Sequence, residues 1–105
     1  MPPETNDRQA EPRFAPDARL SLDSERAVWR EVGDELVILD VPTATYLTLN
    51  SSAVTLWKHL EEGASPAELA AELVATYEIG EDKAASDVQR FLGALQDRSL
   101  ILPAP

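Results

Sequence analysis

The chain has 105 residues, 44% hydrophobic and 27% charged, enough for one small domain with a thin core and too few for a second. Nine Lys and Arg stand against nineteen Asp and Glu, a formal net charge of −10, so phosphate backbones and anionic lipid are repelled; neither nucleic acid nor a membrane is an expected partner. The lack of cysteine excludes disulfide staples, thiolate nucleophiles and Cys-ligated zinc. With no signal-peptide pattern and no run near the roughly 18 apolar residues of a membrane span, the expected location is cytoplasmic.

Residues 1–18 hold four of the eight prolines (Pro2, Pro3, Pro12, Pro16) and little that is apolar beyond Phe14. Such a stretch cannot offset its own ordering entropy, so a disordered tail is expected over 1–18 and one folded domain over 19–105. In residues 19–23 Leu20 and Leu22 alternate, which fits either a short extra strand or a segment covering a sheet.

Three strands in a meander are predicted next. The first spans Ala27–Val32, Gly33-Asp34 forms a two-residue turn, and the second spans Glu35–Asp40. That second strand is apolar on both faces, with Leu36 and Ile38 on one and Val37 and Leu39 on the other, as a central strand should be. Pro42-Thr43 turns the chain into a third strand over 44–49, where Leu47 and Leu49 share one face and Tyr46 and Thr48 the other. A meander leaves this strand at an edge.

Three helices follow. Asn50, Ser51 and Ser52 are N-cap candidates for a helix with Ala53, Leu56, Trp57 and Leu60 on one stripe, closed by Gly63. Ser65-Pro66-Ala67-Glu68 is a capping box with proline at the first helical position; it opens a second helix with Leu69, Ala70, Leu73, Val74 and Tyr77 on its apolar face. Gly80 is expected to break it, and Glu81 and Asp82 suit the N-terminus of a third helix, reaching about Arg98, with Ala84, Val88, Phe91, Leu92 and Leu95 aligned. Leu100, Ile101 and Leu102 read as a closing segment packed on the sheet. The fold class is α+β: a three-stranded antiparallel sheet followed by three helices, in the outline of a winged helix-turn-helix.

Little here supports catalysis, and no catalytic residue, metal ligand or cofactor is assigned. His59 is the single histidine and sits near a helix C-terminus, where a surface or capping role suffices. Glu61-Glu62 and Glu81-Asp82 are sequence neighbours and point to different sides of a helix, and four scattered glycines build no phosphate loop. A winged-helix module that reads DNA should be basic, yet residues 51–105 carry four basic and nine acidic side chains, so a DNA-binding protein is the alternative of another class, matched in shape and poor in electrostatics. What remains is binding. The third strand has no proline and no charge, the usual devices that protect a free edge, so it either accepts an added peptide strand or is covered by the tail or another copy.

The segment DVPTATYLTLNSSAVTLW (40–57), with LEEGASPAELAAELVATYEI and SDVQRFLGALQDRSLI after it, resembles the PqqD-like family: a strand ending in Tyr-x-x-Leu-Asn, a Trp in the first helix, and an Asp-Val-x-x-Phe-Leu-x-x-Leu third helix. The resemblance covers roughly residues 27–102. It implies a non-catalytic recognition element for the precursor of a ribosomally made, post-translationally modified peptide, whose leader adds as a strand to the third strand and lies against the third helix. Carried over by position, Thr45, Tyr46, Leu47 and Thr48 would provide the docking edge, Asp87, Val88, Phe91 and Leu95 the helix wall, and Arg90 a polar contact at the rim. Phe91 and Leu95 also belong to the core stripe. The Tyr-Leu-Thr-Leu-Asn form and the LEEGAS linker are similar to the discrete proteins of lasso-peptide clusters, which implies a leader peptidase and a cyclase, or another modifying enzyme, as partners. Asp40-Val41-Pro42-Thr43 stands where the protein of pyrroloquinoline quinone synthesis has a Pro-Glu segment, so that pathway is the alternative.

Overall fold

The computed structural model describes residues 13–104 apart from Ser51. Its strands are β1 (Leu20–Leu22), β2 (Ala27–Val32), β3 (Glu35–Asp40), β4 (Thr45–Asn50) and β5 (Ile101–Pro103); its helices are α1 (Ser52–Glu62), α2 (Pro66–Tyr77) and α3 (Glu81–Asp97). The meander is present as an antiparallel sheet of order β2-β3-β4. Gly33 takes φ +64 in the turn between β2 and β3, a conformation a Cβ would strain. A single turn of 3-10 helix, Val41–Thr43, leads to Ala44 at φ 55, and this left-handed residue delays the third strand to Thr45.

Register sorts the side chains by face. Ala27, Trp29 and Glu31 on β2 align with Asp40, Ile38 and Leu36 on β3 and with Thr45, Leu47 and Leu49 on β4. Leu36, Ile38 and Asp40 are buried, so this inner face meets the helices, where Leu56, Trp57, Leu60, Leu69, Leu73, Val88 and Leu92 complete the core. Trp57 is fully enclosed and meets Trp29 edge to face, with ring centroids 5.2 Å apart.

Helix boundaries follow local chemistry. Ser65 Oγ accepts from Glu68 N at 3.2 Å and Glu68 Oε1 accepts from Ser65 N at 3.0 Å, so the capping box forms as expected and satisfies two donors at the start of α2. The end of α2 differs from expectation. Glu78, at φ 56, is its left-handed cap, while Gly80 is extended and serves as the N-cap of α3. His59 lies exposed in the last turn of α1, 3.6 Å from Glu72 on α2.

Residues 19–23 and 100–103 pair with each other. β1 and β5 form a separate two-stranded sheet, Leu20 exchanges backbone hydrogen bonds with Ala64 at 2.9 Å, and Leu100 is buried below. The closing segment is therefore a strand of its own small sheet, not a layer on the meander. It joins both ends of the domain across the α1–α2 connection.

The expectation of disorder over 1–12 lies outside the described residues. Residues 13–18 run across the helices: Arg13 bonds Asp97 at 2.8 Å, the Phe14 backbone exchanges two 2.9 Å bonds with the Gln89 amide, and Pro16 O accepts from Ala67 N at 3.1 Å. Phe14 is only 7% exposed. One aromatic ring and a two-bond clasp by Gln89 order a segment whose composition alone suggests none. Phe14→Ala is expected to lower unfolding free energy by about 3 kcal/mol, the low end for a buried aromatic because the strap can peel away; denaturant melts measure it, and a change within error would show that the strap contributes nothing.

Candidate functional site

The three-stranded sheet has two outer edges, and among the described residues no strand pairs with either. They differ in sequence. β2 carries Arg30 and Glu31 in its middle, charges that discourage edge-to-edge pairing, whereas TYLTLN in β4 carries neither charge nor proline. Backbone donors and acceptors along β4 that turn away from β3 depend on solvent or on a guest chain.

Of the residues expected at the docking edge, Thr45, Tyr46 and Thr48 are exposed and Leu47 is half-buried. Tyr46, 68% exposed, belongs to the outer face with Thr48; Leu47 and Leu49 lean on the core from the inner face. The helix residues divide. Phe91 is half-buried and packs on the same core as Leu47 and Leu49, so it retains surface for a contact. Val88 and Leu95 are closed inside the core and offer no side-chain surface. Their helical spacing puts them on the stripe that faces the core, and burial takes precedence there. Asp87 sits between Lys83 and Arg90, 3.3 Å from each, so the expected polar rim is an intrahelical charge triad on α3.

Sequence reasoning missed Asp40. It closes β3, stands directly opposite Thr45, and is 1% exposed; its Oδ2 lies 3.6 Å from Arg98 Nη1, just past the end of α3. This ion pair lies where the end of α3 comes beside the first rung of β4. Its sequence signal is slight, an acidic residue ending an otherwise apolar strand before a proline turn.

Two other surfaces are apolar. On the outer face Val28, Leu39 and Tyr46 form one cross-strand row, with Val37 in the next row between Arg30 and Thr48; Val28 and Tyr46 are exposed. Between α2 and α3 opens a hollow of about 570 Å³ lined by residues such as Pro16, Ala71, Val74 and Ala85, none of them on β4. Among the described residues no group of three or more His, Cys, Asp or Glu is placed to hold a metal ion, and no helix is long and apolar enough to cross a membrane.

The sequence profile of a family described as coenzyme PQQ synthesis protein D (PqqD) matches residues 35–101. No curated protein matches the chain. Among solved structures, TbiB1 in complex with the TbiA(beta) leader peptide is similar at 28% identity and a TM-score of 0.73, over 81% of this chain and 98% of that one. A lasso peptide synthetase B1 complexed with the leader peptide is similar at 26% identity and a TM-score of 0.71, over 80% and 98%. The solution structure of the PqqD truncation of Methylobacterium extorquens PqqCD, a stand-alone RiPP recognition element, shares the fold at 21% identity and a TM-score of 0.64, over 85% and 94%.

The free edge has a ligand-independent signature. Amides along residues 45–49 are expected to alternate in hydrogen exchange, those facing β3 protected and those facing outward exchanging rapidly. Exchange followed by NMR tests this, and uniform protection across the strand would mean that the edge is covered.

Proposed function

The chain belongs to the PqqD family, and from that premise we propose that it is a non-catalytic adaptor that binds the leader of a ribosomally made precursor peptide by strand addition to β4 and presents the attached core peptide to modifying enzymes. The observation that carries this reading is the unprotected, unpaired β4 edge. Its support from outside the chain is that two similar structures, each matched over 98% of its length, are complexes with leader peptides.

The chemistry of the edge suits the task. An extended peptide antiparallel or parallel to β4 gains main-chain hydrogen bonds irrespective of sequence, and side chains alternating across the added strand supply the selectivity. Those that turn inward meet Leu47, Leu49 and Phe91; those that turn outward stand beside Tyr46 and Thr48. Thr45, Tyr46, Leu47 and Thr48 act chiefly through their backbone, and Phe91 through its exposed flank. Asp87 and Arg90, with Lys83, supply charge along α3, and Val88 and Leu95 belong to the core beneath.

Presentation requires a second surface, and the outer sheet face provides one. Its Val28–Leu39–Tyr46 row continues directly onto any strand added at β4, so an enzyme resting there touches adaptor and leader together. The adaptor thereby raises the local concentration of precursor at the enzyme, without a chemical step of its own. With a net charge of −10, docking to a basic enzyme surface weakens as salt rises. A leader peptidase and a macrocyclase, as in lasso-peptide assembly, are the enzymes this reading implies.

Reconstitution tests it. With a cognate precursor and its modifying enzymes supplied, adding the chain is expected to accelerate processing of the full precursor and leave a leaderless core peptide unaffected; acceleration of both would contradict a leader-binding role. Val28→Glu places a charge on the outer face away from β4. It is expected to leave leader affinity within twofold while slowing modification about tenfold, read by calorimetry and by product formation; equal loss of both would remove the distinction between the two surfaces.

A further inference from the structure

We propose that Asp40 and Arg98 form a specificity subsite that selects a neutral, hydrogen-bonding side chain in the added peptide, at the guest position beside Thr45; this assignment rests on the strand-addition reading. Asp40 is an unusual residue for its location. Its Oδ1 has no hydrogen-bond donor among the described residues, Thr43 Oγ1 reaches only its backbone carbonyl, and Arg98 at 3.6 Å provides charge without a hydrogen bond. Arg26 precedes Ala27, the other cross-strand neighbour of Asp40, and its Nε is likewise buried without a partner.

Stability does not account for this arrangement. A carboxylate so enclosed loses its hydration, and an apolar side chain of similar volume would serve the core at least as well. Recognition does account for it. Ala27 and Thr45 flank Asp40 in the same inward row, and both are short. The guest residue beside Thr45 lies two strand spacings from Asp40, about 9.6 Å. A long side chain crosses that gap over Thr45, whereas Leu47 and Leu49 fill the corresponding space farther along β4.

The charges fix the chemical class. Arg98 is 38% exposed, so it can swing outward and open the carboxylate while keeping unused N–H donors beside it. A guest cation would meet Arg98 and a guest anion would meet Asp40. A neutral tip that both donates and accepts matches the pair, giving a hydrogen bond to Asp40 Oδ1 and taking one from Arg98.

A library of random twelve-residue peptides displayed against the full chain tests the assignment, with cross-strand NMR contacts fixing which peptide position lies beside Thr45. Neutral donor–acceptor side chains are expected there about tenfold above apolar ones of similar size. In Asp40→Leu the preference at that position alone turns apolar. Peptides that pair with β4 but show no preference beside Thr45, or the same preference in Asp40→Leu, would overturn the subsite and leave strand addition intact. Loss of stability in Asp40→Leu with selection unaltered would reduce the pair to a structural tie. Selected peptides that leave residues 45–49 unperturbed would overturn both.

Discussion

A backbone amide or carbonyl must find a hydrogen-bond partner, and along the outer side of β4 the folded chain supplies none among the described residues. Everything else in the domain serves to hold that ribbon open and straight. β3 fixes its register over six residue pairs, α1 packs behind it, and the Asp40–Arg98 pair lies where the end of α3 meets its first rung. Leaving an edge without charge or proline invites self-association, a cost that an adaptor accepts because the same property captures a guest strand.

The two apolar surfaces beside this edge divide the work. Inward, Leu47, Leu49 and Phe91 are only half-buried, so they extend the core toward a guest without exposing a large patch. Outward, the Val28–Leu39–Tyr46 row lies on the face away from the helices and continues onto an added strand. In the proposed complex, adaptor and leader together offer a surface that neither presents alone. The acidic character of the chain favours a basic protein over a second copy on that face, since two chains of −10 repel.

Much of the fold was legible because its signals are local. Gly33-Asp34, the Ser65–Glu68 capping box and the apolar run in ELVILD each determine their element within a few residues. The pairing of β1 with β5 was not legible: it joins residues some eighty apart, and two three-residue strands carry no pattern of their own. Phe14 was hidden in a proline-rich, charged context, and the left-handed residues Ala44 and Glu78 are not glycines, so the third strand starts and the second helix ends where no sequence cue marks them. At the site, the edge was visible from the absence of charge in TYLTLN. Val88 and Leu95 could not be distinguished from groove residues, because an apolar position facing a core and one facing a guest obey the same spacing.

The central claim is that a leader peptide completes the ladder of β4. Isotope-filtered NMR on the labelled chain with the unlabelled leader of its cognate precursor measures this directly. The account predicts cross-strand contacts from the leader backbone to residues 45–49 and new exchange protection of their outward amides. Contacts confined to the helices or to the Val28 row, with those amides still exchanging freely, would contradict it.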